Sequence, residues 1–440
     1  MTEIPPLLKI FLVFAGILTL GRLRVPLSLA LVLGGLAINW WGGNSLPEVL
    51  KFFVQALADI NLWLLVAVTA LVVEFGRELA DEKNADAMLA FARRIGGKSG
   101  RLWSLMLMPA LIGLVPMPAG ALFSAPMVQQ SAGEEHWKPE WKAAVNYWFR
   151  HVWEYWWPIY PVVIIGMAVF KMETWRFIAT MIAFTPATFA IGYFWLLRPH
   201  RKELVSDGSA TDNNLRQFFN LMWPISLIVV LLLILPPLFA LIPAQRMVNF
   251  PSCNQQTTKL AAMLIGIMAG LIIVWQRTGK QKKMFPFSSS FFKPHNLNIL
   301  LTVGCIVLFQ SLLETSRLLP AAAEEMVRSG ISIIPIVVIL PFLAGFVTGV
   351  ASAIAGIAFP LIVGLLETGA GGLTPMSTLA LAFGFGYMGM MLSPIHLCLL
   401  MTRDYFLASL LPIYRQLAFC VVSQFVFTIL VFLILSALHL

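Results

Sequence analysis

Ionisable side chains inside apolar segments are where this chain could do chemistry, because a charge in hydrocarbon is costly unless it is paired or used. They concentrate in the stretch NYWFRHVWEYWWPIY, residues 146–160. Asn146, Arg150 and Glu154 recur at i, i+4 and i+8, so a helix through them would place all three on one face, with His151 beside it. The planar fork of Arg150 suits a carboxylate or phosphate. Glu154 or His151 could carry a proton. The plainer reading is a structural Arg150–Glu154 ion pair at the membrane surface, with the neighbouring tryptophans as an interfacial belt.

A second cluster is Ser393-Pro394-Ile395-His396, inside an otherwise apolar run. Proline frees backbone carbonyls there, and His396 could touch substrate, carry a coupled proton or simply pack. Small residues mark two further places: Pro118, Gly120 and Ser124, then Thr348, Gly349, Ser352 and Gly356. They let backbone approach a ligand, and amides at a helix N-terminus favour an anion. Freed carbonyls and hydroxyls could instead hold Na⁺, and close helix packing is the bland alternative. With Tyr160, these residues form the candidate substrate-binding set. His151, Glu154 and His396 are the proton-coupling candidates. Glu74 reads as a loop-edge residue. Cys253, Cys305, Cys398 and Cys420 show no paired spacing, so neither a disulfide framework nor a metal site is expected. No cofactor is expected beyond a coupling ion, H⁺ or Na⁺.

The elements that must position these groups are read from the breaks. Val115–Val128, VPMPAGALFSAPMV, follows an apolar run too short to span, since spanning takes about 20 residues. Such a Pro/Gly break suits a re-entrant hairpin, whose non-helical backbone survives only beside protein or a wet cavity. The device recurs. Residues 119–123 (AGALF) match 355–359 (AGIAF), Gly113 matches Gly349, and Pro158-Ile159 matches Pro394-Ile395, all at one offset (356 − 120 = 236). Paired interrupted segments in two halves point to a transporter binding site.

Composition agrees. Hydrophobic residues make up 59% of the chain and charged ones 12%, with mean hydropathy +0.83. A soluble chain carries about 25% charged residues. The runs do not alternate, which excludes an outer-membrane barrel. The net charge of +9 comes from basic residues in short loops, the positive-inside pattern, and calls for no nucleic acid. The N-terminus has no basic n-region or cleavage site, so the first run reads as a retained helix. The expected fold is an all-α polytopic membrane protein of about ten transmembrane helices plus two re-entrant hairpins, in two inverted-topology repeats. Residues 1–202 form the first repeat, with a cytoplasmic-side hairpin at 102–128. Residues 203–216 form a polar linker. Residues 217–440 form the second repeat, with an outside-facing hairpin at about 331–363. Arg22/Arg24, the charged 76–101 segment, Arg198–Lys202, Arg277–Lys283 and Arg403 thread to the cytoplasm, leaving both termini outside. Gly96-Gly97-Lys98-Ser99 is not a phosphate loop, since Ala92 stands where that motif needs glycine.

The stretches PMPAGALFSAPMV, NYWFRHVWEYWWPIYP and MLSPIHLCLLMT resemble a prokaryotic permease family, domain of unknown function 401, over nearly the whole chain. More distantly, the two-hairpin plan is similar to the ion transporter superfamily of gluconate, citrate and C4-dicarboxylate carriers. The resemblance implies a secondary transporter for organic anions in the cytoplasmic (inner) membrane, often a homodimer, acting through the Gly120–Ser124 and Thr348–Gly356 tips and the breaks at Pro158 and Pro394. The Ser-Asn-Thr signature of the Na⁺-coupled dicarboxylate branch is missing, so neither that specificity nor Na⁺ coupling carries over.

The expected function is thus ion-coupled transport of a small anionic metabolite, with Arg150 as main contact and membrane lipid as surroundings. One rival is a carrier of a lipid-linked or phosphorylated substrate, favoured by Trp148, Trp153, Trp156 and Trp157. Another is a membrane-embedded enzyme, which would require His151, Glu154 and His396 to converge within hydrogen-bond reach. A passive channel lacks a visible ring of charges.

Overall fold

Long apolar runs cannot leave their backbone groups unpaired, and every regular element among the described residues is a helix. The computed structural model describes residues 4–23, 25–79, 100–114, 120–133, 137–204, 255–278, 294–368 and 372–439, with scattered positions between 223 and 238. Most of residues 218–242, and most of the 203–216 linker, lie outside the described residues. So does most of the charged 76–101 segment.

Helices α1 (Pro6–Arg22) and α2 (Leu27–Trp41) each begin at or just behind a proline, which costs little where the amide has no intrahelical partner. The 42–61 stretch holds an amphipathic helix, α3 (Leu46–Ala58). Its start is fixed by Glu48, which accepts hydrogen bonds from the Ser45 amide and hydroxyl, both at 2.7 Å. α3 meets α4 (Ile60–Leu79) at a 50° bend. Glu74 is not at a loop edge: α4 continues past it and buries it.

α5 (Gly100–Gly113) and α6 (Ala121–Ala132) pack side by side as a hairpin. At 1.5 Å per residue α5 is about 21 Å long, short of a hydrocarbon core of roughly 30 Å. The tip between them, with Pro118, lies outside the described residues. α6 runs past the expected end at Val128. Two half-helices follow, α7 (Pro139–Arg150) and α8 (Pro161–Val169), joined by turns over 151–160. Pro158 and Pro161 remove two amides and push the residues before them out of helical geometry. Glu154 therefore lies in a turn, not on one helical face with Asn146 and Arg150. α9 (Thr174–Leu204) follows.

The second half shows α10 (Gln255–Thr278), α11 (Pro294–Glu314) and a helix not anticipated from sequence, α12 (Leu318–Ser329). The second hairpin is α13 (Ile334–Thr348) and α14 (Ala351–Glu367), the latter with a π-turn at Ile354–Ala358. Then come α15 (Pro375–Met391), a break, α16 (Leu397–Tyr405) and α17 (Leu410–Ala437).

Element boundaries repeat at one spacing. α7 and α15 start at Pro139 and Pro375 (375 − 139 = 236). α8 and α16 agree at both ends (397 − 161 = 405 − 169 = 236), and α9 and α17 agree at their starts (410 − 174 = 236). Lys171 and Leu407, both with φ 52°, also stand 236 apart (407 − 171 = 236). Packing follows the same correspondence: α8 lies on α14 while α16 lies on α6, and α2 lies on α11 while α10 lies on α4.

Among the described residues, α9, α10, α11 and α17 contain runs long and apolar enough to cross a membrane alone, and the bent α3–α4 pair would make a fifth. Leucines and valines such as Leu8, Leu12, Leu33, Val422, Val426 and Leu433 are turned outward. The protein is an all-helical membrane-embedded protein.

Candidate functional site

The break after α7 and the break after α15 meet. The Tyr147 hydroxyl donates to Met391 O at 2.9 Å. The Tyr387 hydroxyl lies 3.0 Å from His151 O and 3.1 Å from Glu154 Oε2. Tyr387 and His151 are again 236 residues apart, as are Thr188 and Gln424, whose side chains bond at 3.2 Å. Each break is also tied to its own hairpin in an equivalent way. The Tyr160 hydroxyl donates to Gly113 O, and His396 Nδ1 donates to Gly349 O at 2.7 Å. Gly113 and Gly349, and Tyr160 and His396, are the matched pairs of the two halves.

Gly349 ends α13 in the left-handed region, φ 66°, where a side chain is strained. A Cβ there would also press on the His396 backbone and the Ser393 hydroxyl. Gly120 precedes α6, and a Cβ on it would collide with the Arg150 guanidinium. Both glycines hold a hairpin end against a break.

Arg150, at the last turn of α7, is only 1% exposed. Its Nη1 lies 3.2 Å from the Tyr160 hydroxyl and 3.9 Å from Glu154 Oε1. The same carboxylate oxygen is 3.9 Å from His151 Nε2. Asn146, fully buried, donates to Ala121 O at 3.1 Å and to the Thr402 hydroxyl at 3.2 Å, joining α7, α6 and α16. Among the described residues, Asn146 Oδ1 and the buried Ser393 hydroxyl have no hydrogen-bond partner.

The fold thus gathers Gly120, Asn146, Arg150, His151, Glu154, Tyr160, Ser393 and His396. Thr348 stands at the edge, its hydroxyl turned back to Ala344 O at 2.6 Å. Ser124 is buried, with its hydroxyl on Ala121 O of its own helix. Ser352 lies half-buried near the start of α14. Gly356 serves packing: a Cβ there would strike Ile306 of α11.

The tryptophans do not form an exposed ring. Trp153 and Trp157 donate to Ala110 O and Leu114 O at 2.8 and 3.1 Å, carbonyls at the C-terminal end of α5 that lack intrahelical partners. Trp148 is buried and donates to Thr188 O. Sequence reading missed Tyr147, Tyr387, Cys398 and Thr402. Tyr387 could have been found as the mate of His151 in the repeat. Cys398 sits in the quoted motif but looked like one more apolar residue.

A family profile described as "Protein of unknown function (DUF401)" matches residues 6–436. The chain belongs to this family. No curated protein matches it significantly. Among solved structures, the Alcanivorax borkumensis YdaH transporter, described as having an unusual topology, is similar at 14% identity. The likeness covers 89% of this chain and 88% of that one, with a TM-score of 0.50. At that identity it speaks for the fold. The DUF401 chain shares the overall helical plan of that transporter.

Proposed function

We propose that this DUF401 protein is a secondary active transporter of a small organic anion, a carboxylate, working by alternating access between two inverted halves. One observation carries the anion: the buried Arg150 guanidinium lies against Gly120, at the start of α6. A helix N-terminus carries roughly half a positive charge, so two positive groups converge there. A carboxylate placed there would meet the fork and the helix end together.

The inverted arrangement is supported by the repeated boundaries and by the loops. Polar contacts join Glu48 to Arg317, Asn61 to Thr257, and Lys171 to both Glu314 and Glu367. The charge-based threading puts all of these loops outside. Arg101 bonds Ser131 O, and His200 packs edge to face against Trp137 and Trp141, all threaded to the cytoplasm. The structural neighbour from Alcanivorax borkumensis is itself a transporter.

The test is thermal stability of the purified protein against small carboxylates and phosphates. A ligand at 100 times its dissociation constant should stabilise by about 2.7 kcal/mol, and Arg150→Lys should abolish the response. Absence of a response to every anion, or an equal one in Arg150→Lys, overturns the reading. Uptake into proteoliposomes under imposed H⁺ or Na⁺ gradients then identifies the coupling ion.

The lipid-linked reading has less support, since Trp148, Trp153 and Trp157 donate to backbone carbonyls and Trp156 donates to the Thr185 hydroxyl. The enzyme reading is met only in part: the His151 and His396 rings come within 3.3 Å, while Glu154 stays 3.9 Å from His151, beyond hydrogen-bond reach. Paired breaks from two halves still favour transport, because two gates need symmetry and a single catalytic group does not.

A further inference from the structure

His151 and His396 face each other across the two breaks. Each ring is held by its Nδ1 atom on a backbone carbonyl, His151 on Tyr147 O at 2.6 Å and His396 on Gly349 O at 2.7 Å. A carbonyl only accepts, so each Nδ1 carries the hydrogen, and each neutral ring presents a lone pair at Nε2. Those two Nε2 atoms are 3.3 Å apart. Two lone pairs at that distance repel, and a cation between them turns the repulsion into binding. Two nitrogens at roughly 2.0–2.1 Å from a tetrahedral zinc stand roughly 3.3–3.4 Å apart. Histidines that ligate metal characteristically donate the other ring N–H to a carbonyl or carboxylate, as both do here. Cys398 completes a third position: its Sγ and the ligand nitrogens of the two histidines all lie within 4.8 Å of one another.

We propose that His151, His396 and Cys398 form a binding site for a borderline divalent metal ion of the zinc class, joining the two halves at their breaks. Thiolate and imidazole together select zinc-like ions over Mg²⁺ or Ca²⁺. Glu154 Oε1, 3.9 Å from His151 Nε2, stands ready as a fourth ligand. The ion ties the turn after α7 to the start of α16. The proposal is independent of the anion reading: Arg150 can fail as an anion contact while this site stands.

The test uses full-length protein in detergent, stripped with a chelator and titrated with Co²⁺ as the spectroscopic substitute for zinc. The expected result is one Co²⁺ per chain with a thiolate-to-cobalt charge-transfer absorption, displaced by Zn²⁺. Cys398→Ser, a nearly isosteric change, should remove that absorption while weaker binding persists. His396→Gln should weaken binding by at least the roughly 10–100-fold that even loss of a metal's outer-shell partner costs. Each variant is checked for a monodisperse elution profile, and if the histidine variant does not fold, Cys398→Ser carries the test. No Co²⁺ binding, or a spectrum unchanged in Cys398→Ser, overturns the proposal; the histidine pair then shares a proton instead.

Discussion

Arg150 and Glu154 are both buried and 3.9 Å apart, so their energetics belong to a desolvated pair. Removing one partner of such a pair costs about 3–5 kcal/mol, because the other charge is left uncompensated. Arg150→Met should destabilise the protein by that amount, and the double variant Arg150→Met with Glu154→Gln should recover much of it. Thermal or denaturant melts of the four proteins test this, and additive losses would mean the two residues do not act as a pair. At Gly349 two costs combine: φ 66° and contact with His396 and Ser393. Gly330 has nearly the same φ, 64°, but open space around its Cβ position. Gly330→Ala should therefore cost about 1–2 kcal/mol from the left-handed backbone alone, and Gly349→Ala distinctly more. Equal losses would show that the glycine is not holding the break against the hairpin.

At the scale of elements, the turn between α8 and α9 is fastened to the ends of α11 and α14. Lys171 Nζ lies 2.8 Å from Glu367 and 3.7 Å from Glu314. Partial burial works to lower the Lys171 pKa, but the two carboxylates outweigh it and hold it above the ordinary lysine value. A folded pKa raised above the unfolded one stabilises at pH below the unfolded value and is lost as pH rises through the folded one. The contribution should therefore be present below about pH 10.4 and fade above it. Lys171→Gln should flatten that alkaline part of the stability profile. The side chain is 55% exposed, so solvent screening keeps the effect small. An unchanged profile would show that the carboxylates contribute nothing at this turn.

At the scale of the whole molecule, the two halves predict opposite exposures for equivalent positions. Lys171 and Leu407 occupy matching left-handed turns. With the native cysteines replaced, Lys171→Cys should react with an impermeant thiol reagent from outside, and Leu407→Cys only from the cytoplasmic side. Labelling of both from one side would rule out inversion. The same correspondence explains the position of the site. Under the proposed inversion a pseudo-two-fold axis would bring a residue near its own mate, and the pairs His151/Tyr387 and Thr188/Gln424 do touch.

Hydropathy, proline placement and the 236-residue offset are local or self-similar properties, and they were enough to show a helical membrane protein with two Pro/Gly-broken hairpins and two interrupted helices. They were enough, too, to single out Arg150, His151 and His396, because an ionisable residue in an apolar run is conspicuous wherever it packs. α3 was hidden because an amphipathic helix with one charged face reads like a polar loop. The burial of Glu74 was hidden because Gly76 and the charges after it read as the end of the span, whereas α4 continues through Leu79. Which lone pairs meet, and that Cys398 and Tyr387 join them, was decided by packing between segments some 236–245 residues apart. The repeat offset pairs Tyr387 with His151, but no spacing in the sequence encodes the meeting of His151, His396 and Cys398. It follows from two short helices, α8 and α16, each seating on the other half's hairpin, where close packing leaves few arrangements open.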